Sequence, residues 1–284
     1  MFQFFVEYMV NQEFNGKIAF IGGGNMAQAL IGGLLAQEIK ANRIIVAEPV
    51  LSLRESLTAR GLNVTADNRV AVVEADVVVL AVKPQMMAEV LAGVRDIIDG
   101  RLVISIAAGL TVQALSKMLG GYQRIIRAMP NTPALVQTGA TGLYAGANVS
   151  ESDRQQASAV LGGTGLVLWV EDEQLMHAVT AVSGSGPAYF FYWMEAMIAA
   201  GQQLGLSEQV ARDLTLQTAL GAAQMAITGG EHPSKLRQNV TSPNGTTQAA
   251  LESMAQHQVG ELIQQALAAA AQRSEALSSA LERD

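Results

Sequence analysis

Three short stretches carry residue types and spacings that suit chemistry, and none of them is an acid–base site. In "KIAFIGGGNMAQALIGGLL", Gly22, Gly24 and Ala27 form a G-x-G-x-x-A pattern. In "AVSGSGPAYFF", Gly184, Gly186 and Pro187 fall inside a helical stretch. In "NVTSPNGTTQAALE", Ser242, Pro243, Asn244, Gly245, Thr246 and Thr247 follow one another before a helical pattern resumes. Each offers hydroxyls or unpaired backbone N–H groups, the groups that hold anions at turns and helix starts. The side chains of harder chemistry are scarce. With no cysteine, disulfides, thiolate catalysis and Cys-ligated metal are excluded. The three histidines, His177, His232 and His257, have no partner at i+4 and no dense carboxylate set, so no metal is expected. An enzyme built this way has to borrow its reagent.

The G-x-G-x-x-A match gains weight from its place, directly after a strand pattern and opening a helix. Gly22 allows the tight turn, Gly24 lets the backbone approach a pyrophosphate, and Ala27 permits close helix–strand packing. The plainer alternative is a glycine turn with no ligand. The second strand pattern ends at Glu48, where a carboxylate usually accepts from the adenosine ribose and repels a 2′-phosphate. On electrostatics alone this favours NADH over NADPH. A solvated strand-end carboxylate is the alternative, and Arg54, a helix turn on, leaves a phosphate contact open. "AVKP" and "SIAAGL" end the next strands, where an open α/β sheet places its ligands. Ala107, Ala108 and Gly109 are small, as a flat nicotinamide against backbone requires, or as tight packing alone requires. Lys83, beside Pro84, reads as a solvated or carbonyl-capping lysine rather than an acid.

The elements that position these residues differ between two halves. From Lys17 to about Val170, short apolar runs ("KIAFIG", "RIIVAE", "DVVVLAV", "RLVISIA", "RIIRAMP") alternate with helical patterns. Continuous apolar strands spaced by helices predict a parallel sheet covered on both faces. "TGLYAG" and "GLVLWV" extend it, with the helix "ESDRQQASAVLGG" between them. After Glu171 strand patterns stop and long helices rich in small residues follow, which points to close packing or a subunit interface. The fold class is α/β: a Rossmann-type doubly wound sheet at 17–171, an all-helical domain at 172–284, and an extension at 1–16 with Met9 as an alternative start. The extension is apolar but has Glu7 and no leading basic residue, unlike a secretory signal. No uncharged apolar run of 18 residues suggests a membrane span. A net charge of −7 without a Lys/Arg cluster argues against nucleic acid. The last helix sets Leu262, Leu267, Ala270 and Leu277 along one side, and an obligate dimer is expected through these helices.

The motifs "IGGGNMA", "AVKPQ", "SIAAGL", "MPNTPALVQTGAT", "SGSGPAYFF" and "HPSKLRQNVTSPNGTTQAALE" together resemble the pyrroline-5-carboxylate reductase family, from Lys17 to about Leu281. The resemblance implies a cytoplasmic enzyme that reduces 1-pyrroline-5-carboxylate to L-proline with NADPH or NADH, the last step of proline biosynthesis. It also implies a helical dimerisation domain, and a homodimer that assembles into larger rings such as a pentamer of dimers. Carried over by position, Ile21, Gly22, Gly23, Gly24, Asn25 and Met26 correspond to the pyrophosphate loop, and Asn68 to a residue near the adenosine ribose. Ala81, Val82, Lys83, Pro84, Ile106, Ala107 and Ala108 correspond to the nicotinamide side, and Glu173 and Asn239 to positions close to the bound ligands. Ser242, Gly245, Thr246 and Thr247 correspond to the loop that takes the substrate carboxylate and ring nitrogen, with Thr247 as the candidate catalytic residue. The family usually reads Ser-Pro-Gly-Gly here, and Asn244 replaces the first of those glycines. Asn tolerates the left-handed conformation better than most residues, so the loop is expected to form.

The implied chemistry fits the missing acid–base residues. A protonated cyclic imine already accepts hydride, and the protein has to hold it about 3–3.5 Å from the nicotinamide. Two rivals stay open. One is a β-hydroxyacid or other imine reductase on the same plan, with Lys235 as the acid. The other is a non-catalytic nucleotide sensor.

Overall fold

The computed structural model describes residue 14 and residues 16–281. Apart from Phe14 and Gly16, the expected extension at 1–16 lies outside them. The described chain forms two compact units. One comprises residues up to 185 together with 270–281, and the other is Gly186–Ala269.

The first unit holds an eight-stranded sheet: β1 (Ile18–Ile21), β2 (Ile44–Ala47), β3 (Asn63–Thr65), β4 (Val77–Leu80), β5 (Leu102–Ser105), β6 (Ile125–Met129), β7 (Gly139–Ala145) and β8 (Gly165–Trp169). Their order across the sheet is β3-β2-β1-β4-β5-β6-β7-β8. Neighbours from β3 to β6 are parallel, β7 runs antiparallel to β6, and β8 is parallel to β7. Strands β1, β2, β4 and β5 are buried at every residue, because helices cover both faces. Ile18 and Phe20 point to one apolar layer, with Leu30, Leu34 and Leu161. Ala19 and Ile21 point to the other, with Val72, Leu91 and Leu115. That two-sided burial is why these strands read as unbroken apolar runs.

The sequence expectation of a parallel sheet holds for its first six strands. Two features were not expected: the three-residue β3, too short to leave a pattern, and the reversal at β7.

Helix α1 (Asn25–Ala36) follows β1, and α6 (Glu151–Gly162) crosses it at two glycines. A Cβ on Gly33 would lie 2.7 Å from the Gly163 carbonyl carbon, so the two backbones touch and admit no larger residue. The outer strand β8 is closed by α6: Trp169 donates its indole N–H to Ser158 at 3.1 Å, and Arg154 stacks 4.7 Å from the ring centroid.

The compact unit runs beyond the expected boundary at 171. Helix α7 (Leu175–Val179) packs on β7, where a Cβ on Gly142 would sit 2.5 Å from Val179. A π-helical turn follows at Thr180–Gly184, in agreement with the break expected at Gly184–Pro187. Asn131 fixes this turn, donating to the Ser183 carbonyl at 3.0 Å and accepting from the Ala140 N–H at 2.9 Å. The chain returns to the same unit at 270–281. Ser274 and Ser278 are buried there, and Ser274 lies 3.0 Å from His177 Nδ1. Burial and the Arg127 charge hold the His177 pKa below its usual value, with Glu275 and Glu173 opposing. The face expected for dimer contact is different: Leu262 and Leu277 stay 57% and 44% exposed.

The second unit contains α8 (Gly186–Gln203), α9 (Glu208–Gly229), α10 (Pro233–Asn239), α11 (Thr246–Gln256) and the first part of α12 (Val259–Leu281). Gly201 lets α8 approach α9, since a Cβ there would meet the Ala211 methyl at 3.0 Å. Large side chains on α8 and α9, among them Phe190, Phe191, Tyr192, Leu214, Leu220 and Ile227, remain exposed in the single chain.

Candidate active site

In a parallel sheet, the loops that leave the carboxyl ends of neighbouring strands line one edge. Here that edge collects Ile21–Met26 after β1, Glu48 after β2, Asn68 after β3, Ala81–Pro84 after β4 and Ile106–Ala108 after β5. β1 lies between β2 and β4, where the strand order reverses, and such a switch point is where ligands bind. The β1 loop is tied to both neighbours: Gly22 N–H donates to the Ala47 carbonyl and Ala81 N–H to the Ile21 carbonyl, each at 2.8 Å. Gly22 has φ +100 and would carry a Cβ 2.8 Å from the Ala81 carbonyl oxygen, so this position admits only glycine.

Gly24 differs. It is exposed, it caps α1 with no side-chain partner, and a Cβ on it would meet nothing within 4 Å. The start of α1 thus leaves open space at Gly24, where a pyrophosphate could meet a helix N-terminus. Gly24→Ala should leave the melting temperature unchanged and weaken NADPH and NADH binding by about tenfold, one decade being 1.4 kcal/mol. Nicotinamide fluorescence titration measures this, and unchanged affinity for both would mean the loop holds no dinucleotide.

Glu48 departs from expectation. Its carboxylate turns inward and is 6% exposed. One oxygen accepts from Gly23 N–H and the other from Val50 N–H, each at 2.9 Å. Two orphan N–H groups at the starts of α1 and α2 (Leu51–Ala59) draw the charge in. Glu173 is also committed within the protein. It accepts from Val112 N–H at 2.8 Å, at the start of α5 (Val112–Met118), and pairs at 3.1 Å with the buried Arg127 of β6. It acts on the loop between β5 and α5 that contains Ile106–Ala108. The back of that loop rests on the end of α12, where a Cβ on Gly109 would lie 3.1 Å from Leu281. Lys83 is exposed at a strand end, as expected.

Asn239 and the elbow belong to the helical unit. Asn239 donates to Glu231 at 3.2 Å. Asn244 adopts φ +57, the left-handed conformation expected of it, and its N–H donates to the Gln248 side chain at 2.8 Å. Gly245 N–H closes the turn on the Ser242 carbonyl at 3.0 Å. Gly245 is the N-cap of α11 and supplies no side chain, so Thr246 and Thr247 are first-turn residues, not caps. The hydroxyls of Ser242, Thr246 and Thr247 make no hydrogen bond among the described residues. Lys235 lies on α10, exposed.

Arg127 and Asn131 had drawn no attention in the sequence. A charge inside the apolar run "RIIRAMP" was the available signal for the first. Among the described residues no cluster of His, Asp and Glu could hold a metal, and no helix is long and apolar enough to cross a membrane.

A doubly wound sheet with a tight glycine turn at its switch point, followed by a helical unit with exposed apolar faces, has the architecture of dinucleotide-binding proteins. Residues 17–109 match the family model "NADP oxidoreductase coenzyme F420-dependent", and residues 173–277 match "Pyrroline-5-carboxylate reductase dimerisation". The chain is 49% identical over 267 residues to pyrroline-5-carboxylate reductase of Pseudomonas aeruginosa, covering 93% of this chain and 98% of that one. The solved structure of the Coxiella burnetii reductase superimposes with a TM-score of 0.90 at 44% identity, over 93% of this chain and 98% of that one. The Plasmodium falciparum enzyme, solved with NADP bound, gives 0.83 at 30% identity, over 94% and 100%. The chain belongs to the pyrroline-5-carboxylate reductase family.

Proposed function

We propose that the loops along the sheet edge hold NAD(P)H and that the elbow at Ser242–Thr247 holds the substrate, for the reduction of 1-pyrroline-5-carboxylate to L-proline. This is the closing step of proline biosynthesis. Bound NAD(P)H supplies the hydride. The protein supplies orientation and charge. Gly24 and the first turn of α1 take the pyrophosphate, Asn68 lies on the ribose side, and Ala81–Pro84 with Ile106–Ala108 flank the nicotinamide. Glu173 is a positioning residue that fixes the β5–α5 loop through Val112, and Asn239 steadies the segment ahead of the elbow through Glu231. The free N–H groups at the start of α11 and the Ser242 hydroxyl donate to the substrate carboxylate. The Thr247 hydroxyl hydrogen-bonds at the ring nitrogen and passes it a proton drawn from solvent, as hydride adds to the imine carbon and the C=N electron pair moves to nitrogen.

The observation that carries this reading is the elbow: a left-handed Asn244 shapes a turn whose three hydroxyls have no partner among the described residues. A steady-state assay with 1-pyrroline-5-carboxylate and each nucleotide tests it. Turnover that survives loss of both Thr246 and Thr247 hydroxyls would remove the elbow from the site.

The dimerisation match and the apolar faces of α8 and α9 support a dimer. Pentamers of dimers are the larger assembly proposed, in the cytoplasm. Leu214→Lys, on an exposed apolar position of α9, should convert dimer to monomer and abolish activity. Light scattering that finds an active wild-type monomer at micromolar concentration would overturn the obligate dimer.

A further inference from the structure

If the sheet edge holds the dinucleotide as proposed, the adenosine ribose sits beside the carboxyl end of β2. Glu48 and Arg54 are the first charged groups that follow that strand. The Glu48 carboxylate is spent on Gly23 and Val50 N–H and is almost wholly buried. Arg54 is arranged differently. Its Nη1 donates to the Glu48 and Pro49 carbonyls, both at 2.7 Å. These two bonds from one nitrogen fix the plane of the guanidinium against the end of the strand. Nε and Nη2 have no partner among the described residues, and the side chain is only half-buried. A rigid guanidinium with unused donors matches a phosphate far better than it matches a ribose hydroxyl.

We propose that Arg54 reads the 2′ position of the adenosine ribose, binding the 2′-phosphate of NADPH, and that Glu48 only shapes the loop beneath it. The preference is then for NADPH, the reverse of what Glu48 suggested in the sequence. The clamp on Glu48 and Pro49 makes the site cheap to use, because the side chain is already ordered before the nucleotide arrives.

The test is direct binding to the apoenzyme, with NADPH, NADH and adenosine 2′,5′-bisphosphate as probes. Wild type should bind NADPH more tightly than NADH. Arg54→Met, which keeps the apolar stem, should raise the Kd of NADPH and of the bisphosphate about 10- to 100-fold and leave NADH nearly unchanged. Arg54→Lys, which keeps a point charge without the fork, should fall between and guards against a folding defect in the methionine variant. Glu48→Gln should weaken both nucleotides alike. Equal loss of NADPH and NADH in Arg54→Met and Arg54→Lys would overturn the proposal and reduce Arg54 to a strand-end clamp, as would no loss of NADPH. A Glu48→Gln effect confined to one nucleotide would return the 2′ position to Glu48. The Gly24→Ala titration separates these outcomes from failure of the dinucleotide reading itself, which would leave every Arg54 result without a bound ribose.

Discussion

Thr247→Ala should lower kcat/KM for 1-pyrroline-5-carboxylate about 10- to 100-fold while the melting curve stays where it was. The first half follows from the role proposed for the hydroxyl: a hydrogen bond at a charged group contributes roughly 1.5–3 kcal/mol. The second follows from the structure. Gly245, not a threonine, is the N-cap of α11, and the Thr247 hydroxyl bonds to nothing among the described residues. A surface substitution of that kind stays within about 0.5 kcal/mol. NAD(P)H affinity should be unchanged. Ser242→Ala should raise KM rather than lower kcat, since a carboxylate contact is made in the ground and transition states alike. Steady-state kinetics beside melting curves decide the matter. A Thr247→Ala enzyme that melts early yet turns over normally would make the hydroxyl a structural group only.

Gly165→Ala should be the most destabilising single methyl among the glycines described. Gly165 opens β8 with φ +139, where L side chains are strained, and a Cβ there would lie 2.1 Å from the Gly139 carbonyl oxygen and 2.6 Å from its nitrogen. Both atoms belong to the backbone of β7, so no side chain can swing aside. Separating the two strands costs about 4 kcal/mol or more, the range reserved for such defects. For a chain of this size that lowers the melting temperature by about 10 °C. Gly32→Ala is the control. It lies within α1 with nothing within 4 Å of the added methyl, and should be neutral or stabilise by about 0.5–1 kcal/mol. Scanning calorimetry on both variants tests the pair, and similar melting of the two would show that β7 and β8 adjust freely.

What the sequence disclosed follows the range of the forces involved. The strands β1, β2, β4, β5 and β6 and the turn at the elbow depend on local pattern and local conformational preference, and both were legible. Asn244 is the clearest instance: one residue type announced one left-handed φ. Glu48 was found by position, but its orientation depends on two N–H groups in different loops, Gly23 and Val50, which no pattern along the chain reveals. Glu173 was placed near the ligands by resemblance, while its bonds to Val112 and Arg127 reach across 61 and 46 residues. The helical family match begins at residue 173, close to the expected boundary at 171, while the compact unit that runs to 185 and regains 270–281 includes long-range contacts such as His177 meeting Ser274 from 97 residues away.

That return of residues 270–281 has a consequence for synthesis. The nucleotide unit is discontinuous, and all of Gly186–Ala269 is translated between its two pieces. While the ribosome is still making α8 to α11, the loop at Gly109 and the imidazole of His177 have no Ser278, Leu281 or Ser274 to pack against. The nascent chain can assemble its sheet early, but it completes the surface behind the β5–α5 loop only after the helical unit has emerged. A partly translated chain therefore carries an unfinished support for the β5–α5 loop.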